Sequence, residues 1–472
     1  MGSSQHRRRM SRRAQLIGAG VVVAIATGGA FALTGTAQAA SVGAAYSTTS
    51  HWSNGYTGQY VITNDTDREL SGWTLKFTLP VGTKVTSVWN GKHTVSGGNI
   101  TVKPESWNGT IAPGKSVTVG FVASATTGKA LAPVECVIND AKCSAGDGPA
   151  PRPSTSAPRP TPTPTSSQTP APGGKAGRFA PYVDTSLHPA YDLLGTAKKT
   201  GVKTFNLAFV TSGGDCTPKW GGVTDLGADA VAKQIGELRK AGGDVRVSFG
   251  GAAGSELGLV CSSASELAAA YGKVVDAYKL TKVDFDIEGG ALPNTVANTR
   301  RAKAIAQLQK KHPGLDVSFT LPVMPTGLTQ DGVNLVEDAK KNGVAVSAVN
   351  IMAMDYGSSF TGDMGQYAIE AATATQAQVK GVLGLSDAAA WKAVAVTPMI
   401  GVNDVAVEVF KVDDAKQLVD FARSKGMGWL SMWSATRDKQ CPGGAQNHAS
   451  PTCSSIVQDD HAFTKAFAAY QG

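Results

Sequence analysis

Charge is scarce in this chain. Asp, Glu, Lys and Arg make up only 17% of the 472 residues, a composition that suits neither a coiled coil nor an acidic disordered tail. Basic runs are confined to one place. Arg7, Arg8, Arg9, Arg12 and Arg13 carry five of the net +8 charges and leave +3 for the rest, so a nucleic-acid partner is not expected. Cysteine is also sparse. The six present, Cys136, Cys143, Cys216, Cys261, Cys441 and Cys453, show no CxxC spacing, so neither a zinc site nor any other metal or cofactor is implied.

The N-terminus pairs those arginines with an apolar stretch from Leu16 to about Leu33, and no acidic residue precedes residue 40. Ala37-Gln38-Ala39 then offers a small-residue cleavage site. Residues 1–39 therefore read as a signal peptide, and an extracellular protein with no membrane attachment after cleavage is expected. A membrane anchor is the alternative, because the apolar stretch is nearly long enough to span. Ser11-Arg12-Arg13 hints at twin-arginine export and does not decide against the general route. An even cysteine count in an exported chain suggests disulfides, and sequence proximity favours 136–143, 216–261 and 441–453 among the possible pairings.

A chain of this length is too long for one core. Residues 144–176 are almost entirely Pro, Ser, Thr, Ala and Gly, which cannot bury a core and predicts a semi-rigid linker. Before it, residues 41–143 alternate as strands do. Trp73, Leu75, Phe77 and Leu79 are apolar against Thr74, Lys76 and Thr78, and Val117, Val119 and Phe121 repeat the rhythm. With turns at Asn90-Gly91, Gly97-Gly98 and Pro113-Gly114, this predicts an all-β sandwich. After it, residues 177–472 alternate eight short apolar strands with helical stretches. The strands fall near 178–184, 203–210, 244–250, 282–288, 316–322, 347–354, 393–400 and 427–433, which predicts a (β/α)8 TIM barrel. A monomer of two domains is expected.

The fourth of these strands reads Val283-Asp284-Phe285-Asp286-Ile287-Glu288. Period two puts the three carboxylates on one face and the apolar residues on the other, so the carboxylates must point into the barrel. At about 7 Å spacing and an effective dielectric near 20, neighbouring charges repel by about 2 kcal/mol. That cost serves no structural end, whereas a proton retained on Glu288 is what a general acid requires. A solvated acidic loop or a Ca2+ site is the plainer alternative, and the apolar strand around the carboxylates argues against it.

Here the chain resembles glycoside hydrolase family 18, whose signature is D-x-x-D-x-D-x-E on the fourth strand with S-x-G-G on the third. The latter stands as Ser248-Phe249-Gly250-Gly251. The sixth strand ends Met352-Ala353-Met354-Asp355-Tyr356, close to the family's M-x-Y-D, and Trp433 sits where the family has a tryptophan after strand eight. Two positions depart from the pattern: Thr281 replaces the first signature Asp, and Met354 replaces the Tyr before Asp355. The resemblance implies a chitinase working by substrate-assisted retention. Glu288 would be the acid, Asp286 would orient the substrate acetamide, and Asp284 would modulate Asp286. Asp355 and Tyr356 would hold the N-acetyl group, with Trp433 as the floor. Ser248, Met352 and Tyr182 are further substrate-binding candidates, and Phe209 and Met324 are wall or core residues. No insertion separates strands seven and eight, so an open cleft and endo-type cutting are expected. An endo-β-N-acetylglucosaminidase acting on N-glycans and a non-catalytic chitin-binding lectin are the alternatives; Glu288 argues against the second.

Three tryptophans of the sandwich lead into turns: Trp52-Ser53-Asn54-Gly55, Trp89-Asn90-Gly91 and Trp107-Asn108-Gly109. A small sandwich cannot bury all three, so an exposed row of indoles is expected, suited to stacking on pyranose rings. This pattern resembles carbohydrate-binding module family 2, without that family's end-to-end disulfide, since no cysteine lies near residue 44. The implied partner is an insoluble polysaccharide, with chitin and cellulose both open.

Overall fold

The computed structural model describes residues 42–105, 108–125, 128–143 and 178–470. The expected leader 1–39, the expected linker 144–176 and Trp107 lie outside them.

The N-terminal part is a sandwich of two antiparallel sheets. One has the spatial order Val42–Trp52, Gly55–Asn64, Ser116–Ala125, Thr83–Trp89. The other runs Ala141–Lys142, Glu135–Ile138, Leu75–Thr78, Asn99–Lys103, Lys92–Ser96. Strand alternation sends Val119, Phe121 and Ala123 inward. There the ring of Phe121 meets Phe77 at 4.8 Å and Tyr60 at 6.1 Å. Trp73 belongs to this core as expected, and its Nε1 donates to the Asn108 carbonyl.

The C-terminal part is the expected eight-stranded parallel barrel. Its strands, in order, are Tyr182–Asp184, Thr204–Ser212, Asp244–Gly250, Lys282–Asp286, Asp316–Met324, Ala348–Ala353, Val394–Pro398 and Trp429–Leu430. A parallel bridge between Phe179 and Leu430 closes the ring. Between strands, capped helices carry the chain back. Helix Ala264–Tyr278 begins where the Ser263 side chain accepts from the Glu266 amide. Helix Met364–Leu383 begins at Asp363, which accepts from Gln366, and ends at Gly384 in the left-handed region. Only a short hairpin, Gly401–Val402 with Val409–Phe410, and helix Val412–Lys425 lie between the last two strands. All three disulfides pair as sequence proximity suggested. No helix among the described residues is long and apolar enough to cross a membrane.

The first sheet of the sandwich is covered on both faces. Its outward residues Trp52, Trp89 and Val122 join the hydrophobic cluster of the barrel rather than that of the sandwich. They pack on helix Gln330–Lys341 and helix Met364–Leu383, which follow the fifth and sixth barrel strands. Four polar contacts fix the register. The His51 backbone donates to Gln330 Oε1 and its carbonyl accepts from Gln330 Nε2, both at 2.6 Å. The Ser53 amide donates to Glu337 Oε1 at 3.1 Å, and Gln378 Nε2 donates to Ser50 Oγ at 2.8 Å.

Candidate active site

Asp284 occupies the floor of the barrel and is fully buried. Four hydroxyls from the first, third and fifth strands surround it. Tyr182 and Ser248 donate to Oδ2 at 3.0 and 2.6 Å, Ser318 donates to Oδ1 at 2.5 Å, and Thr320 lies 2.9 Å from both oxygens. Below, Arg246 reaches Ser318 Oγ and the Asp316 carboxylate. Those donors satisfy the acceptor sites of the buried carboxyl and so offset the cost of taking it out of water.

Asp286, one step up the strand, is in the opposite condition. It is buried, and its Oδ1 has no hydrogen-bond partner. Burial first, then the charges of Glu288 and Asp284, hold its carboxyl well above the ordinary range. Glu288 sits at the mouth, half-buried and within hydrogen-bonding reach of Asp286. Desolvation pushes its pKa up to about 6; the Asp286 hydrogen bond opposes this and the Asp355 charge adds to it. The strand therefore grades from a fully hydrogen-bonded carboxyl, through an under-satisfied one, to an acid that keeps its proton close to neutrality.

The third strand explains why glycines follow Ser248. A Cβ at Gly250 would fall 2.1 Å from the Asp286 carbonyl oxygen, and one at Gly251 would fall 2.6 Å from the Phe209 ring. Both glycines also have positive φ, 101° and 86°. Their absence of side chains lets the Asp286 backbone and Phe209 close up. Phe209 in turn stacks with Trp433 at 5.6 Å and 22° between planes, and Tyr182 lies 6.0 Å from the same indole. Trp433 is half-buried, so part of this aromatic surface remains open.

Asp355 follows the sixth strand in the left-handed region, φ 52°, and its Oδ1 accepts from the Val405 amide at 2.8 Å. Its carboxyl is raised by burial, with Asp404 adding to the shift and Arg437 opposing it. Arg437 itself is buried and donates to the carbonyls of Ile400, Val402 and Ser450. Glu408 accepts from the amides of Tyr356 and Gly357 at 3.1 and 2.7 Å and so fixes the turn that carries Asp355.

Three expectations need correction. Tyr182 and Ser248 are 1% and 0% exposed; their hydroxyls are committed to Asp284, so they support the carboxylate instead of lining a substrate surface. Tyr356 is turned into the wall, where its ring packs on Phe360 at 5.7 Å and Tyr367 at 6.0 Å. Its buried hydroxyl has no partner. Met352 keeps a half-buried position two residues beyond Asn350, whose amide donates to Thr320 in the barrel interior. Trp52 and Trp89 are not exposed: they are 3% and 5% accessible, against the barrel helices. Thr281, the other departure, is exposed, and its carbonyl accepts from the Asp316 amide. Sequence reasoning missed Ser318, Thr320 and Asn350. The available signal was polar residues at every second position of the otherwise apolar run Val317-Ser318-Phe319-Thr320-Leu321.

Comparison with known proteins agrees with both halves. The family model described as "Cellulose binding domain" matches residues 42–143. The solved catalytic domain of the hyperthermophilic chitinase from Pyrococcus furiosus is 36% identical, covers 63% of this chain and 95% of its own, and superposes with a TM-score of 0.57. The "Probable bifunctional chitinase/lysozyme" of Escherichia coli K12 is 36% identical over 310 residues, 62% of this chain and 34% of that protein. "Endochitinase 11" of Metarhizium anisopliae is 37% identical over 273 residues, 55% of this chain and 52% of that protein. The chain thus spans a third to a half of the length of these curated relatives. With a cellulose-binding-domain sandwich ahead of its barrel, the chain belongs to the glycoside hydrolase family 18 chitinases.

Proposed function

We propose that this protein is a secreted chitinase that cuts β-1,4-linked N-acetylglucosamine polymers internally, with retention of configuration, and that its sandwich binds the insoluble polymer. The observation that carries the reading is the graded carboxylate strand. Glu288, with a pKa near 6, holds the proton that the glycosidic oxygen takes as the C1–O bond breaks. The electron pair filling the vacancy at C1 comes from the substrate's own acetamide oxygen, since the partner carboxyl in reach, Asp286, is buried, under-satisfied and raised well above the ordinary range rather than poised as a free nucleophile. Its unpartnered buried oxygen is suited to accept the acetamide N–H, which becomes acidic as the oxazolinium ion forms. Asp284, fixed by four hydroxyls, lies beneath it and adds to the raising of the Asp286 carboxyl. Water then attacks C1 from the face the leaving group vacated, breaking the bond to the acetamide oxygen, with Glu288, now a carboxylate, taking its proton.

Phe209 and Trp433 give a flat apolar floor for the sugar at the cut, and the short connection between strands seven and eight leaves the cleft open along its length. In this reading Asp355 holds the N-acetyl group, a role supported by its position at the end of the sixth strand. With Tyr356 turned away, Met354 stands where the family has its tyrosine, so that contact is apolar in this chain. Residues 1–39 support export to the outside of the cell.

Proton NMR of early digests tests the mechanism. The β anomer must appear first, and early α anomer would rule out the acetamide as nucleophile. Product analysis on insoluble chitin, chito-oligosaccharides and a high-mannose glycoprotein tests the substrate. Release of intact N-glycans with no chitin cleavage would move the protein to the endo-β-N-acetylglucosaminidase reading.

A further inference from the structure

The tryptophan face of the sandwich has a tenant. Trp52 lies flat over Gly55, where a Cβ would stand 2.6 Å from the ring, and Trp89 lies flat over Gly120, where it would stand 2.1 Å away. Each indole therefore turns one face to its own sheet and the other outward, the presentation a pyranose ring needs. The outward face of Trp52 is occupied by helix Met364–Leu383: a Cβ at Gly381 would lie 2.8 Å from it. Glu370, Gln378 and Gly381 share one stripe of that helix at intervals of eight and three residues. All three meet the sandwich, at Asn90, Ser50 and Trp52. Gln330 and Glu337, seven residues apart, do the same from helix Gln330–Lys341.

The contact is specific but incompletely satisfied. Trp52 Nε1 is buried with no acceptor, a state that a permanent core tends to avoid and that a sugar hydroxyl would relieve. The sequence of residues 144–176 has the reach, about 100 Å if extended, to let the sandwich leave the barrel without strain.

We propose that the outer wall of the barrel formed by helices 330–341 and 364–383 is a docking site for the sandwich's own tryptophan face, so that barrel and polysaccharide compete for the same indoles. This rests on the reading that these indoles bind polymer. In solution the enzyme is closed, and the carboxylate cleft still takes soluble chains. On an insoluble surface the polymer displaces the barrel, and the sandwich becomes an anchor on its linker. Adsorption is weakened by the fraction of molecules that are open: a chain closed nine-tenths of the time binds about tenfold less well than one held open.

The test uses the full chain. Gly381→Arg drives a side chain into the Trp52 ring from the barrel side. A second variant, Gln330→Ala with Glu337→Ala, removes the polar contacts without adding bulk, in case the arginine disturbs the helix. Small-angle scattering without polymer should find the wild type compact and both variants extended. Adsorption to limiting insoluble chitin should rise about tenfold for Gly381→Arg and less for the alanine pair, with the rate on soluble chito-oligosaccharides unchanged. A wild type as extended as Gly381→Arg, or opened variants that adsorb no better, overturns the proposal. Trp52→Ala with Trp89→Ala separates the two readings. If that variant adsorbs as well as wild type, the indoles are not the polymer contact; the docking itself is then decided by scattering alone.

Discussion

The barrel floor and the outer face of the sandwich are opposite solutions to placing a functional group. On the floor, Asp284 is buried with a hydroxyl for each of its roughly four acceptor sites, whereas Asp286 beside it has an oxygen without a partner and Glu288 is raised by burial. The charge gradient that results is built into one strand and its neighbours, and it belongs to the barrel's own interior. On the sandwich, Trp52 and Trp89 lie on glycines and touch the rest of the molecule through two helices that begin almost three hundred residues later. That arrangement is made of the apolar packing of Trp52, Trp89 and Val122 and five hydrogen bonds, and it is separable from both folds. A reacting centre requires preorganisation; an anchor requires a face that something else is able to claim.

Breaking the floor should have the largest effect. Glu288→Gln preserves the shape of the side chain and removes the proton, so turnover on any chitin substrate should fall by about a thousandfold or more. Folding, measured by thermal unfolding, should be unchanged. In the wild type, the rate should decline as pH rises through about 6, because that is where Glu288 loses its proton; this alkaline limb should vanish with the activity. Retention of substantial turnover would remove Glu288 as the acid and leave the comparison without one of its sides.

Breaking the sandwich face comes next. Each indole is worth about 0.5–1.5 kcal/mol of stacking beyond the area it buries. Trp52→Ala with Trp89→Ala should therefore cost about 1–3 kcal/mol of adsorption to insoluble chitin beyond the area lost. Depletion binding read on the Glu288→Gln background, so that the polymer is not consumed, measures it. A smaller effect sharpens the account of the floor. Tyr182→Phe keeps the ring against Trp433 and removes one of four donors to Asp284, which should cost about 1–3 kcal/mol of stability. Catalysis should weaken with it, seen in kcat more than in KM.

The same contrast governs what was legible in the sequence. The carboxylate strand was legible because period two is local: six consecutive residues determine which side chains face inward, and the apolar partners Val283, Phe285 and Ile287 are all buried as that pattern requires. Sandwich, barrel and disulfides followed from patterns of similarly short range. Three things were not legible. The position of Tyr356 depends on the left-handed backbone at Asp355, which rotates the next side chain away from the strand's alternation and into the ring of Phe360. The hydroxyl cage around Asp284 draws on three strands besides its own, and no single one of them announces it. The covering of Trp52 and Trp89 depends on surfaces of helices whose own pattern reads as ordinary amphipathic packing. Sequence placed those indoles correctly on the outer face and had no means to see what lay upon it.

The finest distinction between the two regions is their response to pH, because each contains a carboxyl raised by burial. Glu370 lies in the docking contact, with Asn90 of the sandwich and Gln366 of its own helix as hydrogen-bond partners. Asp363 on that helix and Tyr356 from the sixth-strand turn face it as well. Desolvation pushes its pKa up to about 7, whereas an open molecule exposes it and returns it towards the usual glutamate range near 4.3. The closed state thus binds the proton more tightly. Its advantage is fully present below the open-state value and is lost as pH rises through about 7. Scattering should accordingly find the Glu288→Gln protein more compact at pH 5 than at pH 8, and adsorption to limiting chitin should rise over the same interval. Glu370→Gln carries no titrating group at that position, so its compactness should be nearly constant across the range. Should the wild-type dimensions prove independent of pH while Gly381→Arg still opens the molecule, docking would stand and Glu370 would be solvated in the closed state.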